Sequence, residues 1–210
     1  MSKSEAQQVW EDHYTERDRV WSGRANVRLV EVAEALPTGR ALDLGCGEGG
    51  DAMWLAQRGW HVTAVDISQT ALDRAAADAR ARNVLERIDF QRHDLPHTFP
   101  EGAFDLVSAQ FLHSMAELDR PRLLRMGADV VSAGGTLLIV DHASPPPRMA
   151  KSDHHHEFPS AEEVVGSLDL DDAEWERARM ESVERQASGP DGQPATWVDN
   201  VIVLRRRAGS

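Results

Sequence analysis

Apolar positions along the chain keep two rhythms, one helical and one alternating, and their succession predicts the fold. From Ser4 to Leu36 a polar stretch turns amphipathic, with Val27, Val30, Val32, Ala33 and Leu36 at near-helical spacing before the break Pro37-Thr38-Gly39. This predicts helix over 4–36, laid on the edge of a sheet. Arg40-Ala41-Leu42-Asp43-Leu44 then reads as a short strand running into glycines, followed by helix from Asp51 to Arg58 and a stop at Gly59. The pattern repeats with the β-branched run His61 to Asp66, a helix over Gln69–Arg82 capped by Ser68, and strands at 88–94 and 104–109. A helix over 120–131 leads to a fifth strand at 136–140, and a further helix is predicted near 160–168. Two extended segments, 174–186 and 196–205, flank Ser188-Gly189-Pro190-Asp191-Gly192, a hairpin signal.

Strands alternating with helices require long right-handed crossovers, so the expected fold is α/β. It is a Rossmann-like, doubly wound, mostly parallel seven-stranded sheet that ends in a C-terminal antiparallel hairpin. At 210 residues and 41% hydrophobic content the chain suits one domain with a sizeable core. Within it, 1–36 forms an N-terminal helical lid, 37–141 the cofactor-binding core, and 142–210 a Pro/His loop, helix and hairpin.

Charge narrows the partners. A formal net charge of −12 disfavours nucleic acid and anionic membranes, which reward dense Lys and Arg, and leaves a small molecule as the expected partner. The first eight residues hold no apolar stretch of signal type and no run approaches a membrane span, so a cytoplasmic location is expected. The single cysteine, Cys46, lies inside the glycine turn and reads as a small residue beside a ligand rather than a nucleophile.

The turn Asp43-Leu44-Gly45-Cys46-Gly47-Glu48-Gly49-Gly50 lets backbone approach a ligand closely after a strand. Gly45, Gly47 and Gly50 also satisfy the dinucleotide pattern G-x-G-x-x-G, so the glycines alone fit either a nicotinamide cofactor or S-adenosylmethionine. Asp43 separates the two, because a carboxylate there attracts a cationic ammonium group and repels a pyrophosphate. Asp66, 21 residues beyond Gly45 and followed by Ile67 and Ser68, suits ribose hydroxyls under either cofactor. Asp94, before Leu95, suits an adenine amino group, with Ile67 and Leu95 sandwiching the ring. Each acid singly reads as a cap or turn residue. Three acids closing three successive strands favour a ligand site.

On these motifs the stretch from Trp10 to about Val140 resembles class I S-adenosylmethionine-dependent methyltransferases, especially small bacterial ones similar to tellurite-resistance and thiopurine-type enzymes. The resemblance implies methionine contacts from Asp43 to Gly49 and a ribose-binding role for Asp66. It also implies an adenine site at Asp94-Leu95, and a segment beside the reactive methyl at Ser108-Ala109-Gln110-Phe111. Its product would be S-adenosylhomocysteine. The Asp/Asn-Pro-Pro-aromatic signature of nucleic-acid-base and glutamine methylation is missing, which points to a small-molecule nucleophile bearing nitrogen, sulfur, a chalcogen or oxygen.

On the acceptor side, His113 follows the fourth strand and is a candidate proton acceptor or orienting group, set against a polar loop residue. Tyr14, the single tyrosine, joins Trp10 and Trp21 in an aromatic set. Tyr14 is a second catalytic candidate, and Trp21 and Arg24 are candidate lid contacts to the sulfonium and the methionine carboxylate. Packing of the two tryptophans onto the sheet is the alternative. The run Asp153-His154-His155-His156-Glu157, with Asp141-His142 before it, offers His142, His154 and His156 as metal ligands. Consecutive residues cannot all face one ion, so a solvated loop beside the substrate pocket is preferred. Two readings from other classes stay open: a nicotinamide-dependent oxidoreductase, opposed by Asp43 and by the missing Tyr-x-x-x-Lys relay, and a noncatalytic adenosylmethionine- or metal-binding module.

Overall fold

The computed structural model describes residues 4–144, 158–188 and 194–209. Seven strands form one sheet: β1 (Arg40–Leu44), β2 (His61–Asp66), β3 (Ile88–Arg92), β4 (Phe104–Gln110), β5 (Val131–His142), β6 (Trp175–Ser188) and β7 (Pro194–Arg206). Their order is β3-β2-β1-β4-β5-β7-β6. The first five pair in parallel, and β7 enters antiparallel to both β5 and β6. The expected fold class is the one observed.

Alternation along the strands divides the core. Ala41, Ala64, Leu106, Leu138, Val140, Val201 and Val203 pack on one face with Leu29, Met53 and Leu55. Their strand neighbours Leu42, Val65, Val107, Leu137, Ile139 and Ile202 pack on the other with Leu124, Ala128, Val164 and Val165. Helices α2 (Val27–Ala33), α3 (Gly50–Gln57) and α4 (Gln69–Ala81) therefore cover one face, and α5 (Arg120–Asp129) and α6 (Ala161–Ser167) the other. Strands buried on both faces carry near-continuous apolar runs, as these do.

The N-terminal segment departs from the expected single helix. Helix α1 (Glu5–Thr15) stops and α2 begins only at Val27, with a strap between them. Glycine at 23, with φ +69°, and the Asn26 cap interrupt the helical path, since Asn26 Oδ1 accepts the N–H of Arg28 at 2.9 Å. Helix α1 does not lie on the sheet. Glu11 instead accepts the hydroxyl hydrogens of Ser68 and Thr70 at 2.7 and 2.6 Å, and so sits on the N-terminus of α4, which favours a carboxylate. Strand β5 is longer than the predicted 136–140, and β3 is shorter than 88–94. Of the segments singled out in the sequence, Pro145 to Pro147, His154 and His156 lie outside the described residues.

Candidate active site

The carboxyl ends of the parallel strands open into one continuous cleft of about 1650 Å3, the position at which open α/β sheets bind ligands. Its floor at one end is the glycine turn. Gly47 has φ +53°, and a Cβ there would lie 3.0 Å from both Trp21 Nε1 and Tyr14 Oη. A Cβ at Gly50 would lie 2.7 Å from the Arg24 carbonyl oxygen. The strap thus rests directly on the turn, and only glycine leaves it room.

Glu48 secures that contact. Buried to 1% exposure, its carboxylate accepts the N–H groups of Val20 at 3.1 Å and Trp21 at 2.9 Å, and meets Arg74 Nη1 at 3.1 Å. Arg74 also donates to the Arg17 carbonyl, Arg82 to the Gly23 carbonyl, and Arg19 pairs with Asp78 at 2.6 Å. Trp21 donates its indole N–H to the Tyr14 hydroxyl at 2.9 Å. Burial first, then the Asp66 charge, raises the Tyr14 phenol well above its ordinary pKa. Tyr14 is therefore a neutral wall over the turn, which opposes its candidacy as a proton acceptor.

Three carboxyl groups, Asp43, Asp51 and Asp66, gather beneath the turn. Burial raises Asp43 well above the usual carboxylate range, and the charges of Asp51 and Asp66 push it further. Asp51, which accepts the Asn26 N–H at 2.6 Å, is raised by burial to about 6. Asp66 is raised by burial against the N–H bonds it accepts from Ser68 and Gly47, both at 2.9 Å. Asp43 Oδ2 and Gln110 Oε1 are buried with no hydrogen-bond donor. Gln110, which lines the cleft, gives its amide N–H to Ser108 Oγ at 2.9 Å and leaves its own carbonyl unmatched. Two orphaned acceptors in a negative pocket fit an ammonium group and oppose a pyrophosphate.

Of the residues singled out from the sequence, Tyr14, Trp21, Arg24, Asp43, Gly45, Cys46, Gly47, Asp66, Ile67, Asp94, Leu95, Gln110, His113 and His142 all line this one cleft. Ser68 does not. It is fully buried, its hydroxyl accepting the Ala71 N–H and donating to Glu11, so it acts on α4 rather than on a ligand. Asp94 lies beyond the end of β3 in a turn, its carbonyl accepting the N–H groups of His97 and Thr98. Burial, with Asp66 and Asp43 nearby, pushes the Cys46 thiol well up, which keeps it protonated.

A family model described as a methyltransferase domain matches residues 41–135, which contain the turn and the orphaned acceptors. The chain belongs to the class I S-adenosylmethionine-dependent methyltransferases. It is 30% identical over 149 residues to thiocyanate methyltransferase 1 of Brassica oleracea, covering 67% of this chain and 65% of that one. It is 35% identical over 127 residues to a sarcosine/dimethylglycine N-methyltransferase of Halorhodospira halochloris, covering 57% of this chain and 44% of that one. The chain thus spans less than two thirds of the length of each of these relatives. A solved structure from work on the conversion of a disulfide bond into a thioacetal group during echinomycin biosynthesis superposes with a TM-score of 0.75. It shares 25% identity, over 97% of this chain and 94% of that one.

The other end of the methyltransferase cleft is built by β4, β5, β6 and β7. Phe111, left-handed at φ +50°, stacks on His142 with ring centroids 4.4 Å apart. Trp197 meets His142 edge-on at 5.3 Å, and His113 is parallel to it at 6.1 Å. Behind the rings, Arg120 grips Asp141 and Arg185 grips Asp199, each at 2.5 Å. Sequence reasoning missed Glu11, Asp51, Arg120, Arg185, Trp197 and Asp199, and it gave Glu48 and Asp141 other parts, the one a methionine contact and the other a neighbour of the histidine run. The legible signal for one of them was an acid, Asp199, which with Asn200 interrupts the otherwise apolar run Trp197 to Leu204. His142 proposed as a metal ligand faces aromatic rings and Asp199, and among the described residues no three His, Cys, Asp or Glu side chains gather as a metal site. No helix among the described residues is long and apolar enough to cross a membrane.

Proposed function

We propose that this chain transfers the methyl group of S-adenosylmethionine to a small-molecule nucleophile. One observation carries the reading: two orphaned buried acceptors, Asp43 Oδ2 and Gln110 Oε1, border a close-approach glycine turn in a cleft that continues to a separate aromatic end. Bound there, S-adenosylmethionine supplies a methyl carbon activated by its sulfonium. Asp43 and Gln110 hold its ammonium group, Arg24 its carboxylate, and Asp66 the ribose hydroxyls. Ile67 and Leu95 enclose the adenine, with Asp94 beside its amino group, while Gly45, Cys46 and Gly47 pass under the chain and Tyr14 and Trp21 cover it. In-line displacement asks the protein mainly to align nucleophile and methyl, so His113 and its neighbours hold the acceptor. Names of relatives, one acting on thiocyanate and one on methylated glycines, support small acceptors of varied nucleophilic atom.

Calorimetry with S-adenosylmethionine, S-adenosylhomocysteine and NAD tests the reading. Binding of the first two at micromolar concentration without NAD is expected. NAD binding without either sulfur compound overturns it.

A further inference from the structure

The sequence pointed to His113 on the acceptor side, yet the structure gives the better-supported imidazole to His142. In the antiparallel register of β5 with β7, His142 stands directly opposite Asp199. Its Nδ1 lies 3.5 Å from Asp199 Oδ1, a carboxylate oxygen with no exposure and no hydrogen-bond donor. The other oxygen, Oδ2, is taken by Arg185 Nε. A buried carboxylate oxygen without a donor can accept the Nδ1–H of the adjacent imidazole, the tautomer that leaves Nε2 with a free lone pair. His142 is partly exposed, lines the cleft, and is fixed by Phe111 and Trp197.

We infer that His142, oriented by Asp199, is the proton acceptor for an aromatic hydroxyl substrate bound against Phe111 and Trp197. The inference rests on the function proposed above and names the acceptor class. The charged groups nearest the imidazole narrow the choice. Arg185 and Arg120 are each neutralised by a buried acid, Asp199 and Asp141, and His113 is the remaining titratable neighbour. Neither arginine is left over to attract an anionic acceptor. A thiol ionises readily enough to need little help, whereas a hydroxyl needs a base. An aliphatic alcohol is too weak an acid for imidazole, with water itself near 15.7, but a phenol near 10 is within reach. Phe111 and Trp197, over which Arg185 lies at 5.6 and 4.7 Å from the ring centroids, give this end an aromatic lining that favours a flat acceptor.

The step balances. The acceptor oxygen forms a bond to the methyl carbon, the carbon–sulfur bond breaks with its electron pair going to sulfur, and the hydroxyl proton goes to His142 Nε2. The imidazolium, paired with Asp199, later gives that proton to water.

The test uses the full chain saturated with S-adenosylhomocysteine, with 4-nitrophenol as probe at a pH where the free probe is largely protonated. Wild type is expected to bind the probe and to raise its phenolate absorbance. His142→Gln abolishes that rise, Asp199→Asn diminishes it, and Asp199→Glu restores part of it. With S-adenosylmethionine and unsubstituted phenol as acceptor, formation of anisole falls about 100-fold or more in His142→Gln, and the acid limb of the kcat profile disappears. Benzyl alcohol is not methylated. Probe binding with absorbance indifferent to His142→Gln overturns the inference, as does S-adenosylhomocysteine binding without probe binding. Failure to bind S-adenosylhomocysteine at all overturns the proposed function itself, and the calorimetric titration of the same sample reveals which has failed.

Discussion

Glu48 and Trp21 are joined by a single hydrogen bond, the Trp21 N–H donating to Glu48 Oε2 at 2.9 Å, and it ties the covering strap to the glycine turn it covers. The carboxylate is buried and serves Val20 and Arg74 as well, so its loss leaves two backbone donors unmatched and Arg74 without its carboxylate. Hydrogen bonds to charged groups contribute about 1.5–3 kcal/mol each, and stranding buried partners costs about as much again. Glu48→Ala is expected to lower the Tm by several degrees and to weaken S-adenosylhomocysteine binding at least tenfold. Calorimetry and thermal melts check both, and unchanged affinity would show that the strap takes no part in binding.

Gly47→Ala tests the close approach. The added Cβ meets Trp21 and Tyr14 at 3.0 Å in a left-handed backbone, which costs about 1–2 kcal/mol before any clash is counted. Because both neighbours belong to the strap and its helix, relief comes by lifting them off the turn. Limited proteolysis between α1 and α2 should become faster in Gly47→Ala, with S-adenosylhomocysteine giving little protection. Cleavage as slow as in wild type, with full protection, would contradict this packing.

Asp43→Asn separates stability from function. The carboxyl has an unmatched buried oxygen and two acidic neighbours, so its charge is a burden to the empty protein. The neutral amide should leave the unliganded Tm equal or higher at neutral pH, while affinity for S-adenosylhomocysteine falls on the order of 10- to 100-fold. A fall in both quantities would mean that Asp43 stabilises the fold rather than the ligand.

Much of this architecture was readable from the chain because its determinants are local. Short apolar runs marked β2, β4 and β5, and the turn glycines marked the cofactor end, since each depends on residues within a few positions. The strap was not readable. Glu48 to Trp21 and Arg74 to Arg17 are pairs distant in sequence, and a helix-like spacing at Val27 to Ala33 concealed the break before it. The acceptor end depends on strand register. His142 and Asp199 become partners only when β7 pairs antiparallel with β5, and a shift of one residue would turn Asp199 to the opposite face.

The three acids under the turn set a pH dependence whose sign can be worked out. Asp51 is raised to about 6, and Asp43 is also raised, so the folded protein holds protons that the unfolded chain releases in the ordinary carboxylate range. The stability these two acids contribute to the unliganded protein is therefore fully present below that range and is lost as pH rises through about 6. A cationic ammonium group prefers the ionised acids, so binding releases protons, and affinity rises with pH by up to about tenfold per pH unit for each proton released. Between pH 5 and 7 the unliganded Tm should fall while the Tm gain from S-adenosylhomocysteine grows. Titrations in two buffers of different ionisation enthalpy should register proton release. Proton uptake, or an affinity that stays flat across this interval, would rule out the acids as the ammonium site.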